Sequence, residues 1–76
     1  MRDERTQLAE AQTGGRVIPA GEVRQGDKFF GVLSGRWDRE AIDVTHVARD
    51  LKGRVRITFS HSETRTYEQQ RKVVVA

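Results

Sequence analysis

Residues 54–60 constrain the fold more than any other part of the chain. They read RVRITFS, in which polar and apolar side chains alternate without a break. Such alternation is typical of a β-strand with one buried and one solvated face. We therefore expect Val55, Ile57 and Phe59 to point into a core, and the two arginines of the run to point away from it.

The amino-acid composition favours short strands elsewhere too. Valine and isoleucine total 12 of 76 residues, whereas leucine occurs only three times. β-Branched side chains suit a pleated surface better than a helix. Seven glycines beside a single proline indicate several tight turns. A chain of this length forms one small domain around one small core.

The other predicted strands are short, and they lie at residues 17–18, 27–33, 42–47, 64–67 and 71–75. Gly31 falls inside one of them, which predicts a bulge or a bend. Residues 34–39 read as a loop. Residues 40–51 also fit helical spacing, but four β-branched residues within six positions favour a strand there.

Five or six short strands predict an all-β fold, and we expect a small SH3-like barrel at residues 16–76. The absence of an obvious central helix favours an SH3-like over an OB-like barrel. Residues 1–15 carry only two large apolar side chains and end in Gly14-Gly15. We expect this segment to be a flexible, disordered tail or a frayed helical turn.

Two stretches resemble segments of small β-barrel proteins from actinobacteria and their phages. They are VTHVARDLKGRVRITFSHSETRTY at residues 44–67 and VIPAGEVRQGDKF at residues 17–29. The resemblance covers most of residues 17–75, and it departs at Ser62, where such turns usually carry glycine. It implies the same small barrel and an origin in a phage or mobile element, and it implies no particular activity.

The positive charge of the chain is concentrated near its end. Residues 1–53 carry equal numbers of basic and acidic side chains, so the whole net charge of +3 lies in residues 54–76. Concentrated positive charge is typical of surfaces that bind DNA or RNA. Arginine binds phosphate through a planar fork, and tyrosine can stack on a base. The candidate nucleic-acid-binding residues are Arg54, Arg56, Arg65, Tyr67, Arg71 and Lys72.

The turn inside residues 54–67 decides whether these side chains share one face. A two-residue turn at His61-Ser62 places Arg56 opposite Tyr67 on the outside of the sheet. A three-residue turn sends Tyr67 to the core face, because a slip of one residue reverses the facing of a strand. The alternative to a binding face is that the arginines pair with glutamates of the same hairpin and the tyrosine packs.

A protein partner is the second hypothesis, with Trp37, Arg36 and Phe30 as the candidate contact residues. An exposed tryptophan flanked by arginines would anchor a host protein or a nucleobase. The alternative is that Trp37 belongs to the core or covers it, because the chain has few other aromatic residues. The apolar strand at 73–75, placed at an exposed edge, could pair with a second copy and give a homodimer.

No motif predicts an enzyme, a metal site or a cofactor. Ser60, His61, Ser62 and Glu63 are neighbours in one turn, so they cannot form a catalytic relay. Two histidines give no zinc site by their spacing, and the absence of cysteine excludes disulfides and thiolate ligands. No apolar run has the length of a membrane span. The expectation is a cytoplasmic binding module.

Overall fold

The computed structural model describes residues 3–76 and shows a mostly β chain. The elements are α1 (Glu4–Thr13), β1 (Arg16–Pro19), a 3₁₀ turn (Ala20–Glu22), β2 (Lys28–Val32), β3 (Trp37–Arg49), β4 (Arg54–Phe59), β5 (Thr64–Glu68) and β6 (Lys72–Val75). The strands form one antiparallel sheet in the order β1-β6-β2-β3-β4-β5. The prediction of an all-β fold of five or six strands is confirmed, although β3 is longer than the short strands that were expected.

β3 is the long strand that bends the sheet. Its first half pairs with β2 and its second half with β4, and the register shifts between Val44 and His46. Such a bulge bends a strand and increases its twist. As a result, the rings of Phe29 on β2 and Tyr67 on β5 lie 6.0 Å apart between centroids. In a flat sheet these strands would be about 14 Å apart, so the sheet curls around one core.

The core lies inside this curl. Its buried members come from the 3₁₀ turn and from most of the strands, and they are Ala20, Val23, Phe29, Val44, Val55, Ile57, Phe59, Val73 and Val75. The alternating run behaves as predicted, because Val55, Ile57 and Phe59 are at most 3% exposed. Burying a large apolar side chain contributes about 1.5–3 kcal/mol to stability, so these strands hold the domain together.

Residues 34–39 were predicted to form a loop, but β3 already begins at Trp37. The prediction is therefore wrong for residues 37–39. The predicted irregularity at Gly31 is confirmed by a register shift between Phe29 and Gly31. A Cβ atom on Gly31 would overlap the backbone of Arg36 and Trp37. Glycine is therefore required at the place where the hairpin of β2 and β3 closes.

β6 is buried on both faces. Val73 and Val75 face the main core, whereas Val74 faces the outer side of the sheet and packs with Ala9 of α1. Near-continuous apolar runs are typical of strands that are covered on both sides. β6 lies between β1 and β2, so the prediction that residues 73–75 form an exposed edge for a second copy is wrong.

Residues 4–13 form a packed helix, so the prediction of a flexible tail over residues 1–15 is wrong for this part. The side chain of Asp3 caps α1 by accepting a hydrogen bond from the Thr6 N–H at 2.7 Å. Gly14 ends the helix in the left-handed conformation, with φ of 70°. Ala9 is fully buried against the sheet. Residues 1–2 of the predicted tail lie outside the described residues.

The two edge strands each carry an arginine on their inward face. Arg16 of β1 lies opposite Val75, and Arg65 of β5 lies opposite Ile57. Directly opposed residues of an antiparallel pair point to the same side, so each arginine points toward the core side at the rim. Inward charges and a proline, here Pro19, discourage another sheet from adding to an edge.

Candidate functional site

The turn between β4 and β5 contains three residues. The backbone N–H of Phe59 donates to the carbonyl oxygen of Glu63 at 2.9 Å, which encloses residues 60–62. Ser62 has φ of 71°, a left-handed conformation that glycine adopts at no steric cost. Ser62 is therefore the residue of this turn whose backbone conformation favours glycine.

This turn sends Tyr67 to the core face. Tyr67 lies opposite Val55 and stacks on Phe29. Arg65 lies on the same inward face, whereas Arg54 and Arg56 point outward. The register that would have joined Tyr67 to both outward arginines is not the one that forms, so this basic aromatic face does not exist.

Arg54 is held on the outer face by Asp50. Its Nε donates to the Asp50 carboxylate at 3.2 Å. The same carboxylate accepts the backbone N–H groups of Arg54 and Lys52, each at 2.9 Å. These hydrogen bonds, led by that of the Arg54 backbone, lower the pKa of Asp50. Asp50 is therefore ionised at neutral pH and orients the Arg54 guanidinium.

Arg65 is paired on the inner face by Glu63. The Nε of Arg65 donates to Glu63 at 2.6 Å, and this hydrogen bond lowers the pKa of Glu63 and raises that of Arg65. Burial raises the pKa of the neighbouring Tyr67, while Arg65 and, more weakly, Arg71 act against that rise. Arg71 lies in the turn before β6, where its backbone N–H donates to the carbonyl oxygen of Glu68 at 3.0 Å. Lys72 lies apart, opposite Pro19.

A groove of about 300 Å³ opens between β5 and the hairpin of β2 and β3. Its apolar floor contains Phe29, Ile42, Phe59 and Tyr67, and its charged rim contains Arg36, Asp38, Glu63 and Arg65. Phe30 also lines the groove, although its side chain packs in the cluster around Val74 on the outer face of the sheet. We call this surface the aromatic groove. It joins two residues predicted to bind nucleic acid, Arg65 and Tyr67, with two predicted to bind a protein, Arg36 and Phe30.

Trp37 lies under α1 and is half-buried. Its Nε1 donates to the Oε1 of Gln12 at 2.9 Å, and the Arg5 guanidinium lies 4.8 Å from the ring centroid. Arg5 also donates to the carbonyl oxygens of Leu33 and Gly35. Trp37 is therefore partly covered by α1, and its role as a contact for a protein partner stays a prediction.

A second surface gathers arginines that the sequence analysis did not single out. Arg16, Arg24 and Arg49 line a cleft of about 530 Å³, although they come from three separate segments. Arg49 also lines a cleft of about 310 Å³ together with Arg54 and Arg56. The two clefts adjoin at Arg49, and we call the five arginines of this surface the basic strip.

The basic strip carries more positive than negative charge. Its two clefts contain five arginines and three carboxylates, those of Glu22, Asp27 and Asp50. Two of these carboxylates are already engaged, since Asp27 accepts the backbone N–H of Arg24 at 2.9 Å and Asp50 holds Arg54. The rim of the aromatic groove, with two arginines and two acids, has no such excess.

The described part of the chain contains no metal-binding cluster of three or more His, Cys, Asp or Glu side chains. His61 approaches Glu63 at 4.0 Å in the exposed turn, and His46 is exposed on β3. Within residues 3–76, no helix has the length and apolar character needed to cross a membrane.

The chain was compared with protein families, curated proteins and solved structures. The resemblance to small barrels of actinobacteria and their phages stays a prediction. No protein-family model matches the chain, and no curated protein and no solved structure proved similar to it.

Proposed function

We propose that this chain is a non-enzymatic module that binds DNA or RNA in the cytoplasm through the basic strip. The proposal is carried by the position of Arg49, which lines both clefts and so links the arginines of one cleft to those of the other. Each guanidinium can bind phosphate oxygens in a bidentate manner. A polymer of phosphates is the ligand that matches a row of such groups.

The arginines of the strip are available for phosphate in different ways. Arg54 is oriented by Asp50, and Arg49 by a hydrogen bond to the carbonyl oxygen of Gly21. The side chains of Arg16, Arg24 and Arg56 make no hydrogen bond or ion pair with any other residue between 3 and 76. The strip therefore combines two arginines that are held in position with three whose side chains can adjust to the sugar-phosphate backbone of a bound nucleic acid.

The strip has no aromatic side chain in its lining, so base stacking does not contribute to this surface. Binding then rests on phosphate contacts and depends little on base sequence. If all five arginines contact phosphates of duplex DNA, the logarithm of the binding constant falls with the logarithm of salt concentration with a slope of about −4.5. Affinity falls about 500-fold between 50 and 200 mM salt at that slope.

The test is a titration of labelled duplex DNA, single-stranded DNA and single-stranded RNA at several salt concentrations. The double variant Arg24→Glu/Arg56→Glu should lower the affinity and reduce the duplex slope to about −2.7, because two contacts are lost. The matched control is Arg36→Glu/Arg65→Glu, which makes the same charge change on the rim of the aromatic groove. Equal losses in both variants, or no binding at 50 mM salt, would refute the proposal.

A second candidate function is protein binding through the aromatic groove. The observation that favours it is the apolar floor, where Ile42 and Tyr67 remain only half-buried. A groove with apolar floor and charges of both signs at its rim suits an extended segment of a partner protein. The same two double variants test protein binding, with Arg36→Glu/Arg65→Glu now as the test variant and Arg24→Glu/Arg56→Glu as the control. A peptide selected from a displayed random library should lose binding to Arg36→Glu/Arg65→Glu and keep binding to Arg24→Glu/Arg56→Glu; the opposite result would reject this site.

A further inference from the structure

A second apolar cluster lies on the outer face of the sheet, apart from the main core. It is formed by side chains of the strands β1, β2, β3 and β6 and of the turn after β2, and its members are Val17, Phe30, Leu33, Trp37 and Val74. α1 seats on this cluster through Ala9, which is fully buried. Val17, Phe30 and Trp37 stay partly exposed even with α1 in place, so the helix covers the surface incompletely.

α1 holds this surface with one side of the helix. Arg5, Ala9 and Gln12 are spaced by four and then three residues, which places them on the same helical face. Arg5 lies over the Trp37 ring, Ala9 packs into the cluster, and Gln12 accepts the hydrogen bond of the Trp37 indole. The surface is therefore shaped to receive a helix, and Trp37 is the residue on which the contacts converge.

The helix itself contributes little apolar surface to this contact. α1 has ten residues, and Ala9 is its one buried side chain among residues 4–13. Leu8, its largest apolar side chain in that range, is 47% exposed. Isolated helices shorter than about 12–15 residues are marginal in water. A polar, short helix thus covers a surface that is far more apolar than the helix.

We propose that α1 is a detachable cover, and that the surface beneath it binds an amphipathic helix of a partner protein in place of α1. The contacts that α1 makes define that helix: a basic residue, a small apolar residue four positions later, and a hydrogen-bond acceptor three positions after that. Large apolar side chains beside the small residue would cover Val17 and Phe30, which α1 leaves partly exposed. Gly14 is the hinge, because it already holds a left-handed conformation with open space around it, whereas Gly15 is packed against the backbone of Val75.

The experiment uses Trp37, the single tryptophan of the chain, as a fluorescent reporter. Ala9→Asp in the full chain should detach α1, because it places a charge in the apolar cluster. Trp37 emission should then shift to longer wavelength and become more accessible to acrylamide. The matched control is Ala11→Asp, the same substitution at an exposed position of α1, and it should leave the emission of Trp37 unchanged.

A synthetic peptide with the sequence of residues 3–15 serves as the replacement helix. It should return the emission of the Ala9→Asp chain toward that of the native chain. The native chain should bind the peptide at least about tenfold more weakly, because a cover closed nine-tenths of the time reduces the apparent affinity by that factor. Equal affinity for both chains, or no effect of the peptide on the Ala9→Asp chain, would overturn the proposal.

If α1 is a detachable cover, the sheet must stay folded when α1 detaches. Circular dichroism should show that Ala9→Asp loses helical signal and keeps a cooperative thermal transition. Should Ala9→Asp fail to fold, Arg5→Ala decides the matter, because it removes the contacts to Trp37, Leu33 and Gly35 without adding a buried charge. An intact sheet with red-shifted Trp37 emission supports the proposal. Unchanged emission, or loss of the sheet together with α1, rejects it.

Discussion

The basic strip and the aromatic groove share the hairpin of β4 and β5 but use its opposite faces. On the inner face, Arg65 is bound to Glu63 at 2.6 Å beside an apolar floor. On the outer face, Arg56 has no partner among residues 3–76, and Arg54 is fixed in place by Asp50. The inner arginine is neutralised by its neighbour, whereas the outer pair leaves an excess of positive charge.

Turn length, more than composition, therefore decides which side chains of this hairpin share a face. The same residues would have formed one basic and aromatic face with a turn one residue shorter. The three-residue turn instead gives a polar surface suited to phosphates and an apolar one suited to a peptide. Substitutions in either surface, or in the turn between β4 and β5, can separate the two surfaces.

The largest expected effect belongs to Tyr67→Ala, which removes the ring stacked on Phe29. Complete removal of a buried aromatic ring costs about 3–5 kcal/mol, so we expect about 2 kcal/mol for this half-buried one. Urea unfolding measures the loss, and Tyr67→Phe, which keeps the ring, should stay within about 0.5 kcal/mol of the native chain. DNA affinity should be unchanged in both variants at a temperature where they are folded. A loss of DNA binding in Tyr67→Ala alone would show that the two surfaces are not separate.

A smaller effect of opposite sign is expected from Ser62→Gly. Ser62 has φ of 71°, and a residue with a side chain is strained in that region whereas glycine is not. The free energy of unfolding should rise by up to about 1 kcal/mol, and the hydrogen-bond register of β4 and β5 should be unchanged. Thermal unfolding and amide exchange measure these two quantities. Destabilisation by glycine would indicate that the turn is not the three-residue turn described above.

The smallest expected effect is a change in how stability depends on acidic pH through Asp50. Hydrogen bonds lower the pKa of Asp50 below its ordinary value of 3.8. A carboxyl whose pKa is lower in the folded than in the unfolded chain contributes stability above that unfolded value. This contribution is lost as the pH falls through the lower, folded pKa. Asp50→Asn should therefore weaken the acid dependence of the urea midpoint below pH 3.8. An acid dependence identical to that of the native chain would show that Asp50 does not hold Arg54 in solution.

Some of this architecture could be predicted from local patterns. The alternation at residues 54–60 fixed the facing of β4, and β-branched residues favoured a strand over a helix at 42–47. Three consecutive valines carried a further signal that both faces of β6 are covered. α1 could not be predicted in the same way, because its side chains form no apolar stripe and its main contact, Trp37, lies far along the sequence.

The candidate surfaces were harder to predict than the strands. Arg16, Arg24 and Arg49 are distant from one another in the sequence and lie in the part of the chain whose charges cancel. Only the curled sheet brings them to one cleft. The facing of Tyr67 depended on a single residue of the turn, and both registers agree with the alternating pattern of β4. Sequence patterns define the faces of one strand, whereas a site requires the positions of several.

β6, near the end of the chain, contacts the two elements at its beginning, β1 and α1. β1 belongs to the sheet only because it pairs with β6, and α1 rests on Val74 of the same strand. The contiguous strands β2 to β5 can assemble from local contacts, whereas β1 and α1 must wait for residues 72–75, a contact of long sequence separation. Removing those four residues would therefore release the first quarter of the chain as well. Proteolysis at one terminus should accordingly expose the other.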